Sequence, residues 1–205
     1  MDKYMISIYN RILNRIYGSG RGSVFTPSDF LDLGSRAAID KALSRLAQKG
    51  TLRRLHRGLY DYPKSHPVMG TLTPSPDAIA RAIAGKHGIR IQPTGAYAAN
   101  LLGLSEQVPA KVVFLSDGPN RVVTIGKQEI RLQHTTPRNM ATTGRVSGLV
   151  IQALRHIGQS HVDDSMLAIL RRKLRKEDKK ILIKDIAYAP AWVGALLRKI
   201  AMEKH

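Results

Sequence analysis

Between residues 3 and 17, Tyr4, Ile8, Ile12 and Ile16 recur at helical intervals. Met5, Tyr9 and Leu13 lie beside them, so the spacing predicts a helix with a broad buried face. Gly18-Ser19-Gly20-Arg21-Gly22 breaks that helix, and Val24-Phe25-Thr26 reads as a short strand. Thr26-Pro27 then marks a helix start, a capping residue beside a proline suited to a first turn. This second helix is short, carrying Phe30, Leu31 and Leu33 before Gly34 closes it. Ser35 can cap a third helix running to Lys49, with Gly50 ending it. On its helical wheel Ile39, Ala42, Leu43 and Leu46 fall on one face, and Ala37, Lys41, Ser44, Arg45 and Gln48 on the opposite one. Leu52–Leu55 and Leu59–Tyr62 follow as two strand candidates around a tight basic turn, His56-Arg57-Gly58.

Pro63, Pro67, Pro74 and Pro76 bound a stretch of little regular pattern, which reads as an extended connector. Helix signals resume at Asp77–Lys86 and Thr94–Leu102. Strand-like runs follow at Ile89–Gln92, Lys111–Ser116, Arg121–Ile125 and Glu129–Gln133, and the turns at 117–120 and 126–127 suggest a small antiparallel meander. Helical segments near 146–157, 163–176 and 190–203 close the chain. The expected fold is α+β: a winged helix-turn-helix over 1–63, a connector over 64–76, and a mixed α/β domain over 77–205 with a helical tail.

Charge sharpens this picture. Thirty-three Lys and Arg against fifteen Asp and Glu leave a formal charge of +18. Such an excess favours a polyanionic partner, because neutralising phosphates releases condensed counterions. The chain has no cysteine, which removes disulfides, thiol nucleophiles and Cys-ligated metal sites together and fits a reducing, cytoplasmic setting. No apolar run approaches the roughly 20 residues needed to span a bilayer.

Signals for catalysis are weak. Gly18–Gly22 has neither dinucleotide-fingerprint nor phosphate-loop spacing. His156 and His161 are five apart with Gly158 between them, a poor metal pair. Ser147 lacks the flanks of a nucleophile elbow, and Asp163-Asp164 reads as a helix start. Trp192 reads as a packing anchor. The expectation is a protein that is not an enzyme and needs no cofactor or metal.

Helix, short helix, helix and basic hairpin follow the winged helix-turn-helix order, in which the third helix enters the major groove and the hairpin tip lies on the backbone. Ser35, Arg36, Lys41, Ser44, Arg45 and Gln48 are the candidate DNA contacts of the helix, and Arg53, Arg54, His56 and Arg57 those of the wing. A second basic run, Arg171, Arg172, Lys173, Arg175 and Lys176 with Lys179 and Lys180, lies on a segment whose Met166, Leu167, Ile169, Leu170 and Leu174 form an apolar face. It reads either as a solvated face or as a further surface for phosphate or for a protein partner.

Ser35–Leu46, then Lys49-Gly50-Thr51-Leu52 and Arg57-Gly58-Leu59-Tyr60, resemble the N-terminal winged helix of AbiEi-type antitoxins from abortive-infection (type IV) toxin–antitoxin systems. Thr94–Leu104 and Val112–Ser116 are similar to that family's second domain. The resemblance implies an antitoxin and transcriptional autorepressor. Its first domain would bind operator inverted repeats in duplex DNA, and its second would counter a nucleotidyltransferase-like toxin, with or without direct binding. The alternative is a standalone winged-helix transcription factor whose second domain senses a ligand or partner.

Overall fold

The computed structural model describes residues 7–85 and 88–202, so Tyr4 and Met5 of the first predicted helix, and Lys86 of a later one, lie outside the described residues. The fold is α+β, and the chain divides after Gly88 into two compact units.

In the first unit, helix α1 (Ile8–Ser19) turns Ile12 and Ile16 inward, and Ser7 caps it by accepting from the Asn10 N–H. Strand β1 (Val24–Phe25) leads into a 3-10 turn at Pro27–Phe30, where a full short helix was expected. Asp29 folds back to accept from the Thr26 N–H at 2.7 Å, and Leu33 N–H closes onto the Phe30 carbonyl at 2.8 Å. The segment tightens at both ends, and too few residues separate Pro27 from Gly34 for a stable α-helix to propagate.

Helix α2 (Arg36–Gln48) starts at the Ser35 cap and buries Ile39, Ala42, Leu43 and Leu46, the face predicted for it. Strands β2 (Arg53–His56) and β3 (Leu59–Asp61) form the wing, and the antiparallel sheet has the order β1-β3-β2. Gly58 makes the wing turn at φ +72°, a backbone conformation in which a side chain is strained. A core of Ile12, Ile16, Phe25, Phe30, Leu43 and Leu46 joins these elements. This element order and sheet order are those of a winged helix-turn-helix.

Two features differ from the sequence expectation. The connector contains a small hairpin, β4 (Ser65–His66) with β5 (Gly70–Thr71), whose four strand residues are all exposed. It has no alternating apolar pattern to announce it. Its tip is held instead by His66, whose Nδ1 accepts from the Val68 and Met69 N–H groups at 3.2 and 3.3 Å. Helix α3 (Pro76–Ala84), expected to open the second domain, belongs to the first unit and packs on β1. Proline-rich sequence marks an extended backbone there, not a domain boundary.

In the second unit, β6 (Ile91–Thr94), β7 (Lys111–Ser116), β8 (Arg121–Ile125) and β9 (Gln128–His134) build one sheet of order β6-β7-β9-β8, and helix α4 (Gly95–Leu101) follows β6 and packs on β6 and β7. The expected meander is therefore corrected: β9 runs parallel to β7 and separates it from β8. The reason is apolar content. Ile130 and Leu132 of β9 are buried, whereas β8 has no buried residue and Val122 stands half exposed, so β8 takes the edge. The 117–120 link crosses the end of β9, and His134 N–H donates to Asn120 Oδ1 at 2.6 Å. Asp117 accepts from the Arg90 N–H and Nε, both at 2.8 Å, and this bonding holds its carboxyl below the ordinary value.

Helices α5 (Pro137–Met140), α6 (Val146–Ile157), α7 (Asp164–Lys173), α8 (Lys176–Lys184) and α9 (Ala191–Ala201) complete the unit. Their core joins Leu154, Leu167, Leu170, Leu182, Val193 and Leu197. The predicted segment 163–176 stops early because Leu174 turns extended and buries itself, and α8 begins beyond it. Asp163 caps α7. The Ser165 hydroxyl and then the Met166 N–H hold its carboxyl below the ordinary value. That contribution is complete above the unfolded-state value and is lost as pH falls through the lower folded-state one. In an acid titration followed by amide exchange, the first turn of α7 therefore loosens only below the ordinary carboxylate range, and Asp163→Asn removes this pH dependence.

Buried Asp185 accepts from Arg145 Nη1 at 2.7 Å and from the Ser147 hydroxyl, tying the start of α6 to the end of α8. Ser147 is fully buried, which gives it a structural partner and no path to solvent. Among the described residues no helix is long and apolar enough to cross a membrane.

Candidate nucleic-acid interface

Helix α2 presents one clean polar face because its apolar positions are fixed by the core. Lys41, Ser44, Arg45 and Gln48 are all exposed, and Lys41 and Arg45 form no ion pair among the described residues. Two other predicted contacts of this helix already have partners. The Ser35 hydroxyl accepts from the Ala38 N–H at 3.4 Å as the helix cap, and Arg36 Nε pairs with Asp40 Oδ2 at 2.9 Å, one turn along. The free donors therefore lie on the middle and last turns of the helix.

The wing separates its basic residues into two kinds. Arg54, His56 and Arg57 are exposed, and His56 Nδ1 lies 3.3 Å from the Arg57 carbonyl. Arg53 is different. Its Nε and Nη2 donate to the two oxygens of Asp61 at 3.1 and 2.7 Å, and Nη2 also donates to the Leu72 carbonyl at 2.8 Å. Asp61 is fully buried, and the register places it directly opposite Arg53. Arg53, expected among the DNA contacts of the wing, thus has its fork engaged in anchoring the wing.

Asp61 sits inside the run Leu59–Tyr62 as a lone carboxylate, where the strand pattern alone gives it no role. The available signal was a charged residue on a strand with apolar neighbours; its partner follows only from the register. Arg21, in the glycine-rich turn after α1, lies 4.7 Å from the Tyr62 ring centroid and donates to the Pro63 carbonyl at 2.9 Å.

The second basic run is not one helical face. Arg171, Arg172 and Lys173 occupy the last turn of α7, where cations suit the helix dipole, while Arg175 and Lys176 begin α8. Arg171 Nε donates to the Lys199 carbonyl at 3.1 Å, Lys173 Nζ to the Leu101 carbonyl at 2.7 Å, and Arg175 pairs with Asp178 at 3.4 Å. Arg172, Lys176 and Lys180 remain as exposed cations on the two helices. Among the described residues no group of three or more His, Asp or Glu could hold a metal ion.

An exposed helix of this polarity beside a basic two-stranded wing defines the first unit as a winged helix-turn-helix module. The chain belongs to a family of unknown function, DUF6088, whose profile matches residues 11–182 and so takes in both units. No protein of curated function matches the sequence.

The wing gives a direct test of its chemistry. Arg54→Ala or Arg57→Ala should lower the slope of log affinity against log salt by about one unit, with similar losses on all duplexes, because a phosphate contact carries no sequence information. Loss confined to one base position with an unchanged slope would show that the wing reads sequence.

Proposed function

We propose that this chain is a DNA-binding antitoxin and transcriptional autorepressor of the AbiEi type, working in the cytoplasm. It binds inverted repeats in its own promoter through the first unit, and its second unit counters a nucleotidyltransferase-like toxin. The observation that carries the DNA-binding part is the exposed face of α2, with Lys41, Ser44, Arg45 and Gln48, in the same unit as a wing that exposes Arg54 and Arg57. Arg and Lys donate to guanine O6 and N7, and Gln pairs with adenine, so this set has the groups that major-groove reading needs. The net charge of +18 adds the sequence-independent attraction. The antitoxin part rests on the resemblance of Ser35–Leu46, Thr94–Leu104 and Val112–Ser116.

Mobility shifts against the region upstream of the gene test the first part. Lys41→Ala and Arg45→Ala should each weaken specific binding by about 1–3 kcal/mol. Arg36→Ala should cost less, since Asp40 already holds that guanidinium. Wild-type affinity in both the Lys41 and Arg45 variants would rule out this recognition helix. Growth on co-expression with the product of a neighbouring toxin-like reading frame tests the second part.

A further inference from the structure

The second unit holds two adjoining cavities that DNA binding leaves unused. One is a polar cleft of about 410 Å³ lined by Thr94, Gln133, Thr135, Asn139, Gln152 and Arg155. The other, of about 510 Å³, mixes apolar Ala96, Ala99, Leu104 and Ile157 with polar Ser105, Gln107 and His161. His156 lines both. Each has the size of a small-molecule site. No carboxylate lines either one; Arg155 lines the polar cleft and His156 lines both.

The polar groups of the cleft are arranged with donors to spare. Gln152 is only 7 % exposed, and its Oε1 accepts from the Thr94 hydroxyl at 2.9 Å, yet its amide nitrogen has no partner among the described residues. Asn139 orders two neighbours. Its Nδ2 donates to Thr135 Oγ1 at 2.9 Å, and its Oδ1 accepts from Arg155 Nη1 at a long 3.5 Å. The Thr135 proton and most of the guanidinium fork are left for a ligand. Arg155 and His156 also lie in the last turn of α6, where cations stabilise a helix end. Helical side chains lean back towards the N-terminus, however, and Arg155 reaches across to Asn139 on α5.

We propose that the second unit binds a nucleoside monophosphate, with the phosphate in the polar cleft on Arg155, Gln152 and Thr135 and the base in the adjoining cavity beyond His156, where Leu104 and Ile157 can pack on the ring and Ser105 and Gln107 can bond its edge. A tetrahedral anion with three acceptor oxygens uses this spread of donors better than a planar carboxylate does, and a guanidinium fork suits phosphate. The adjoining cavity offers a planar ring the apolar side chains of Ala96, Ala99, Leu104 and Ile157 together with the polar ones of Ser105 and Gln107, and the His156 imidazole lines both spaces. The site is independent of what the first unit binds.

Isothermal titration and thermal-shift measurements on the full-length protein without DNA test this, using AMP, GMP, CMP and UMP with inorganic phosphate and free nucleosides as partial probes. At least one nucleotide should bind and raise the melting temperature, more tightly than phosphate or its nucleoside alone. Arg155→Gln should weaken it about tenfold or more, the loss of a charge-assisted bond. Ala96→Phe should weaken the nucleotide while sparing inorganic phosphate. If Ala96→Phe does not fold, Val108→Glu, at an exposed position on the same cavity, should give the same selective loss. No heat from any of the four nucleotides at millimolar concentration would overturn the proposal. Nucleotide binding that is unchanged in folded Arg155→Gln, or that inorganic phosphate matches in affinity, would overturn it too.

Discussion

Arg53→Ala should destabilise the first unit by about 3–5 kcal/mol, because it strands the fully buried Asp61 carboxylate without its counter-ion. Asp61 receives both of its side-chain bonds from this one guanidinium, at 3.1 and 2.7 Å. Asp61→Ala should cost less, about 1–3 kcal/mol, since the Arg53 left behind is one-third exposed and keeps the Leu72 carbonyl at 2.8 Å. The double variant Arg53→Met with Asp61→Leu should recover much of the loss, as paired apolar replacements of buried ion pairs do. Amide exchange across β1–β3, or urea unfolding followed by a signal from the first unit, reads these values. The experiment also separates two roles for Arg53. A pure phosphate contact would leave stability untouched and change only the salt dependence of DNA binding. Loss of stability with little further loss of affinity at saturating fold assigns Arg53 to the wing's framework.

The first unit was more legible in the sequence than the second, for reasons visible in particular residues. Its helix faces are amphipathic, so the spacing of Ile39, Ala42, Leu43 and Leu46 fixed both the core and, by exclusion, the exposed Lys41, Ser44, Arg45 and Gln48. Caps and turns were equally local: Ser35, Gly50 and Gly58 act within a few residues of where they stand. What escaped was aperiodic or non-local. The exposed hairpin Ser65–Thr71 carries no apolar alternation; a histidine bonding two amides holds its tip, and the Leu72 N–H closes onto the Lys64 carbonyl at 2.8 Å. Strand order in the second unit depends on which strand brings more buried surface, and two short turns cannot say that β9 will insert between β7 and β8. The Arg53–Asp61 pair is legible only once the register of β2 on β3 is known. Among the candidate site residues, those on α2 needed only periodicity, and those on the wing needed the partner strand. The polar cleft draws Thr94, Gln133 and Asn139 from three elements and Gln152 with Arg155 from α6, so spacing along the chain could have shown only the last pair.

A fragment of residues 1–88 should fold cooperatively and bind the operator with the site preference of the full chain, while residues 1–75 should be far less stable. The difference is α3. Its Ile79, Ala80 and Ile83 are buried and it packs on β1, so cutting at the proline-rich segment removes a helix the unit uses. At this size the loss is severe, since a domain of about 60 residues buries only about 60 % of its unfolded surface and has little stability to lose. Residues 89–205 contain a separate core around Leu154, Leu170, Leu182 and Leu197 and should fold alone. On the proposed division of labour, 89–205 restores growth when the neighbouring toxin is expressed but does not shift operator DNA, and 1–88 does the reverse. Circular dichroism melts settle the folding half, and mobility shifts with co-expression growth settle the functional half. Equal stability of 1–75 and 1–88 would show that α3 contributes nothing to the first unit. Rescue by 1–88 alone would transfer antitoxicity to the winged helix and leave the second unit to the nucleotide site.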